Sequence, residues 1–186
     1  MYLNVKQRGD YVATFRWIEV RLMEMLAAWV PTTPELEVKL VFGAHIWEAA
    51  QHADALGRRA NELRLPLHDS LEPARAYVEL LAEVGAVTDT ATRIAALYDS
   101  ILPGMDARYR HYVDQVDVLL DGPTVRIVER ILNDTARMAR ESQELREEVP
   151  AVKSTESKWL EALRERDTRL RDVVGHRGMT PAVPVG

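Results

Sequence analysis

Apolar residues recur at three- and four-residue intervals through most of the chain, and proline or glycine breaks the rhythm at a few places. The pattern predicts a first helix from about Asp10 to Val30, stopped by Pro31. Thr33 is placed to cap a second helix, with Pro34 in its first turn and Glu35 and Glu37 where the helix dipole favours acids; it runs to about Arg64, before Leu65-Pro66. A third segment starts at Ser70, Glu72 and Pro73 and falters around Gly85. Another stretch from about Asp89 meets Pro103-Gly104 and resumes to Leu120. Asp121-Gly122-Pro123 is a stop-and-restart signal for a long helix ending at Val149 before Pro150. Thr155–Val174 reads as a last amphipathic helix, and Gly175–Gly186 as a flexible tail. Strand signals are absent. The expectation is an all-α bundle forming one domain over residues 1–174, with the short connections near Pro31 and Asp121 making antiparallel helix pairs.

Composition narrows the functional classes. The chain has 186 residues, 47% of them hydrophobic and 28% charged, which is ordinary globular usage. A net charge of -5 removes the basic footprint of a nucleic-acid-binding domain. The absence of cysteine excludes disulfides, thiolate metal sites and a cysteine nucleophile. Met1–Arg16 lacks the features of a secretion signal, and no apolar run approaches the ~18 residues of a membrane span, so a soluble, cytoplasmic protein is expected. Arginine dominates the basic residues of this Ala-rich chain, which reads as the codon bias of a GC-rich bacterial genome.

Polar groups on apolar helix faces carry the candidate chemistry. On the first helix Phe15, Ile18, Leu22, Leu26 and Trp29 share one arc, and Glu19 lies inside it. A buried carboxylate needs a cation, a hydrogen-bond donor or a metal. On the second helix Val38, Val41, Ala49, Leu56, Ala60 and Leu63 define the apolar face. His45 and His52 fall near its middle and Glu48 near its edge. The two histidines stand roughly 10 Å apart along the axis, too far for one ion to bind both easily, with Glu48 between them to be shared. Counting outward from the loop places Glu19 opposite His45. The plainer alternative is a hydrogen-bonded core histidine, with Glu19 and Glu48 salt-bridged to Arg58, Arg59 or an arginine of another helix. On the Asp121–Val149 helix, Glu129 and Asp134 sit at opposite borders of the core face, so at most one joins a central site. Tyr109, His111 and Tyr112 precede the Asp121 turn, where a partner helix can present them to the same interior. Arg126, Arg130, Arg137 and Arg140 form a basic strip, read as a solvated face that an acidic partner could also use.

The stretch Trp47-Glu48-Ala49-Ala50-Gln51-His52-Ala53, continuing to Arg58-Arg59 and Glu62-Leu63-Arg64, resembles the second helix of ferritin-like proteins of the di-iron carboxylate type. Asp121-Gly122-Pro123-Thr124-Val125-Arg126 resembles the start of the fourth helix in some relatives. The resemblance covers most of Asp10–Arg140. It implies an antiparallel four-helix bundle, here with an additional C-terminal helix. It also implies a metal centre with one Glu on the first helix, Glu-x-x-His on the second, Glu on the third and Glu-x-x-His on the fourth. Glu19 matches the first ligand and His52 the second-helix histidine. Ala49 stands where Glu belongs, with Glu48 one step earlier. Thr135 and Met138 take the fourth-helix ligand positions, and the third-helix carboxylate has no clear counterpart. The ligand set is degenerate.

Three functions follow as alternatives. The first is a small-molecule-transforming enzyme with a reduced metal site, in which His52 and His45 act as acid or base and Glu19 and Glu48 orient them. Dehydration, cyclisation and isomerisation fit, and Ala44, Ala49 and Ala53 leave room for substrate. The second retains iron or manganese on Glu19, His45, Glu48 and His52, with Glu129 or Asp134, as a non-haem oxidoreductase such as a hydroxylase. The cofactor is thus either iron or manganese or none. The third is a non-catalytic assembly module, because Trp159, Leu163, Leu170 and Val173 form a stripe that covers either its own bundle or a second copy in a homodimer. No phosphate cradle, nucleophile elbow or His-Glu-x-x-His motif is present.

Overall fold

A computed structural model describes residues 2–153 and 156–177, and every regular element among them is helical. Helix α1 spans Val5–Trp29 and continues into a 3₁₀ turn, Val30–Thr32; α2 spans Leu36–Glu62 and α3 Arg75–Gly85. Helix α4 (Thr90–Ala96) passes through a π-helical turn, Leu97–Ile101, into α5 (Leu102–Asp114). Helix α6 spans Gly122–Glu148, Pro150–Val152 is a second 3₁₀ turn, and α7 spans Lys158–Arg169. The all-α expectation holds.

Several boundaries move for identifiable reasons. Helix α1 begins at Val5 because Asn4 and Gln7 cap it reciprocally: each side chain accepts the other's backbone N–H, at 2.9 and 3.0 Å. Thr33 does not cap α2. Its hydroxyl donates to the Trp29 carbonyl at 2.9 Å and accepts from Arg93 Nη1 at 3.2 Å, so it closes α1 instead, and α2 starts after Glu35. Pro103 lacks an N–H, and the helix passes through it by widening: the Leu102 N–H reaches back five residues to Leu97 O. Helix α5 then stops at Asp114 and not Leu120, because the Asp117 carboxylate accepts the Leu119 and Leu120 N–H groups in a turn.

Residue pairs between helices set the topology. Tyr11 and Phe15 near the start of α1 meet Tyr112 and Tyr109 of α5, whereas Trp29 at its end meets Arg93 of α4. Arg59 late in α2 bonds Thr124 early in α6, and His45 early in α2 bonds Glu141 late in α6. Helix α1 is therefore antiparallel to α2 and to α4–α5, and α6 is antiparallel to α2 and to α4–α5. The long crossover from α2 to α4 carries α3. The core between these four rods includes Phe15, Ile18, Leu22, Leu26, Trp29, Phe42, Leu56, Leu97, Met105 and Val128, all buried.

Helix α7, capped by Ser157, lies on its own chain against α3, α4 and the π turn. Leu160, Leu163 and Val173 are buried there, and a buried ion pair joins Arg108 Nη2 to Asp167 Oδ1 at 2.8 Å. Helical geometry ends at Arg169, short of Val174; the expected start at Thr155 lies outside the described residues, as does the tail from residue 178 onward. His176 and Arg177, at the start of the expected tail, reach Asp10 and Asp69. No helix among the described residues is long and apolar enough to cross a membrane.

Candidate functional site

Two rungs of hydrogen bonds cross the interior between α2 and α6. In the lower rung His52 Nδ1 lies 3.2 Å from Glu19 Oε2 of α1, and His52 Nε2 lies 3.2 Å from Asp134 Oδ2 of α6. The Tyr109 hydroxyl of α5 donates to Glu19 Oε1 at 2.5 Å. In the upper rung His45 Nδ1 lies 2.6 Å from the Tyr98 hydroxyl and Nε2 lies 2.8 Å from Glu141 Oε2. The ladder is built into the sequence spacing. His45 and His52 are seven residues apart on α2, Asp134 and Glu141 are seven apart on α6, and the antiparallel rods bring the two pairs into register. Tyr98 lies in the π turn at Pro103, which is one consequence of that widened segment.

Protonation follows from what each partner can do. An ionised carboxylate only accepts, so an imidazole facing carboxylates through both nitrogens must donate from both. That is the position of His52. Burial alone would lower its pKa, but the charge of Glu19 and its hydrogen bond, then the bond and charge of Asp134, outweigh burial and raise it above the ordinary histidine value. Geometry and the direction of the shift both favour the doubly protonated ring at His52. His45 is the reverse case: burial lowers its pKa, and the Glu141 bond only partly offsets that. A neutral ring donates once, so Nε2–H goes to Glu141 and Nδ1 accepts from Tyr98. The Tyr98 phenol stays protonated because burial, then the charge of Glu141, raises its pKa; Tyr109 is raised by burial and Glu19.

Arg137 ties the rungs together. Its Nη2 lies 2.8 Å from Glu48 Oε1 and 2.9 Å from Asp134 Oδ1, and its Nη1 lies 3.5 Å from Glu141 Oε1. Burial pushes the Asp134 carboxyl up, but the bonds from Arg137 and His52 pull it below the ordinary aspartate value. Arg137 is therefore not simply part of a solvated strip.

The sequence expectations divide as follows. Glu19 finds the donors it required, and it meets His52, not His45. The 3₁₀ turn after Trp29 lengthens the α1 arm of the hairpin, and side chains on both rods lean toward their own helix N-termini, which shifts the register. Glu48 pairs with Arg137, an arginine of another helix, and bridges neither histidine. Of the two border acids on α6, Asp134 joins the rung and Glu129 is exposed. Tyr109 enters the site, Tyr112 bonds Asp121, and His111 is exposed. Arg58 pairs with Asp54, while Arg59 pairs with Asp121 and Glu62. Thr135 and Met138 border the interior beside Glu19 and His52 but add no ligand; the Thr135 hydroxyl donates to Ile131 O. Tyr98 and Glu141 escaped the sequence reading, and Arg137 was assigned to a solvated strip, although the i, i+3, i+7 spacing of Asp134, Arg137 and Glu141 marks one helix face.

Space lies elsewhere than expected. Ala44 is exposed, and the void beside Ala49, Glu19 and His52 measures about 10 Å³, at most one water. A groove of about 350 Å³ opens instead between α2 and α6, past Ala55, with His52 in its wall. Glu48, His52 and Asp134 each bring a ligand atom within 4.8 Å of the others, a spacing one metal ion could use once Arg137 withdraws and His52 gives up a proton. No family model matches the sequence, and neither a curated protein nor a solved structure matches it.

Proposed function

We propose that the protein is a small-molecule-transforming enzyme whose buried His/Glu cluster performs acid–base chemistry of the dehydration, cyclisation or isomerisation type. The observation that carries this is His52, whose two ring nitrogens each face a carboxylate, Glu19 and Asp134, at the wall of a substrate-sized groove. Glu19, itself bonded by Tyr109, fixes Nδ1 and the ring plane. Nε2–H faces the partly buried Asp134 carboxylate, through which a proton would pass to a leaving oxygen or an unsaturated carbon. His45 is a positioning residue: it holds Glu141, which in turn helps to hold Arg137.

The resemblance to ferritin-like bundles enters this proposal with support from the helix order. Such folds join their second and third rods by one long crossover, as α2 and α4–α5 are joined here. Within that frame Arg137 supplies a fixed positive charge between Glu48 and Asp134, as expected of a reduced metal site. A soluble, cytoplasmic location fits the same reading.

A second reading rests on the donor trio. Glu48, His52 and Asp134 would hold one divalent ion, iron or manganese, with Glu19 bonded to the other ring nitrogen of His52 in the usual supporting role. The ion would supply Lewis-acid or redox chemistry. Arg137 would have to withdraw from two carboxylates to admit it.

The deciding experiment incubates the purified chain with a pool of small metabolites and follows consumption by mass spectrometry, with and without a chelator. The acid–base reading expects turnover that survives chelation and vanishes in His52→Gln. Turnover that needs added iron or manganese favours the metal reading, and turnover that persists in His52→Gln defeats both.

A further inference from the structure

The groove between α2 and α6 has a chemical character of its own. Arg58 and Arg59 of α2 and Arg126 and Arg130 of α6 line it, with Glu62 as the acid among its lining residues. Ala55, Ile127 and Ile131 give it an apolar wall that leads to the His52 ring. At about 350 Å³ it sits at the small end of the range that ligand pockets occupy.

The four guanidinium groups are not equally committed. Arg59 is 8% exposed and fixed: Nε donates to Thr124 at 2.7 Å, Nη2 to Asp121 at 2.9 Å and Nη1 to Glu62 at 2.7 Å. Arg58 leans on Asp54 at 3.0 Å, outside the groove. Arg130 stands 3.5 Å from Asp134, a loose contact. Arg126 has no ion pair among the described residues, and it lies one turn from Arg130 on the same face of α6. The lining thus holds more positive charge than its own acids neutralise, on a chain whose net charge is -5.

The geometry points to a small amphipathic anion as the occupant: a carboxylate or phosphate monoester on an apolar body. Its anionic end sits between Arg126 and Arg130, with the apolar part against Ile127 and Ile131 and directed toward His52. The planar fork of arginine matches both anion types. This inference rests on the acid–base reading above and names the substrate class of the same site.

Calorimetric titration of the full chain with benzoate, phenyl phosphate and neutral benzamide tests it. Saturable binding of benzoate or phenyl phosphate, with benzamide silent, is the expected result, and the tighter of the two anions tells carboxylate from phosphate. Arg126→Ala/Arg130→Ala should weaken anion binding at least tenfold, whereas Arg140→Ala, on the exposed face outside the groove, leaves it unchanged. All three substituted side chains are solvent-facing, and a cooperative melt confirms that each variant folds. Binding of benzamide as tight as that of benzoate, or unchanged affinity in the double variant, or no binding of either anion at millimolar concentration, overturns the proposal. Failure of the acid–base reading looks different: anions still bind, and His52→Gln binds them too, but His52 titrates as an ordinary neutral histidine.

Discussion

Replacing Glu19 by Gln keeps the shape of the lower rung and removes one of the two charges that hold His52 protonated. The His52 pKa should fall toward its ordinary value, and the fold should lose about 1–3 kcal/mol for the charge-assisted bonds weakened there. Ring-proton titration and urea unfolding read the two effects. The histidines also give the stability profile opposite slopes on either side of neutrality. The folded pKa of His52 is raised, so its contribution is complete below about pH 6.5 and is lost as pH rises through the folded value. The folded pKa of His45 is depressed, so its contribution is present above about pH 6.5 and is lost as pH falls toward and through the lower folded value. Unfolding free energy against pH should therefore flatten on the alkaline side in His52→Gln and on the acid side in His45→Gln. Identical profiles for both variants would contradict the assigned protonation states. The sequence revealed that these rings are buried, because their positions on the apolar face of α2 follow from helical period alone. It did not reveal which ring is charged, since that depends on Asp134 and Glu141 arriving from another helix.

At the level of elements, the long rods were legible because their apolar period and proline punctuation agree. The start of α1 was not, because Gly9 breaks the rhythm just where the Asn4–Gln7 cap begins the helix. The π turn was equally hidden: Pro103 signals a break, and only packing decides that the helix widens and continues, carrying Tyr98 to His45. Helix α7 was visible as an amphipathic stripe, yet its fastening came from Arg108 and Asp167, a buried pair distant in sequence. Asp167→Asn leaves the buried Arg108 guanidinium short of its counter-charge and should cost about 3–5 kcal/mol. Gly104→Ala should act on the same joint, because a β-carbon there would overlap the Asp167 carboxylate and crowd Arg108 Nη1. In both variants amide exchange should quicken across Lys158–Arg169 while the α2–α6 ladder keeps its protection. Slow exchange in α7 would mean that its apolar stripe alone holds it.

Across the whole molecule, Arg137 links three carboxylates drawn from α2 and α6 and so decides between the two chemistries open to the site. A helical wheel places it at the border of its helix beside Asp134 and Glu141, but nothing in the local sequence says that Glu48 of α2 flanks it in space. Arg137→Ala leaves Glu48 and Asp134 without their shared cation beside His52. The variant should bind manganese at least tenfold more tightly than the parent chain, as read by calorimetry at neutral pH. Equal affinities would mean that Arg137 does not stand in for a metal. The account as a whole depends on His52 being an imidazolium while His45 is neutral in the same interior. Long-range nitrogen–proton spectra of the ring-labelled protein at pH 7 test this directly: His52 should show two protonated ring nitrogens, and His45 only its Nε2 proton. A His52 ring carrying one proton, with a titration midpoint at or below that of a free histidine, would contradict it.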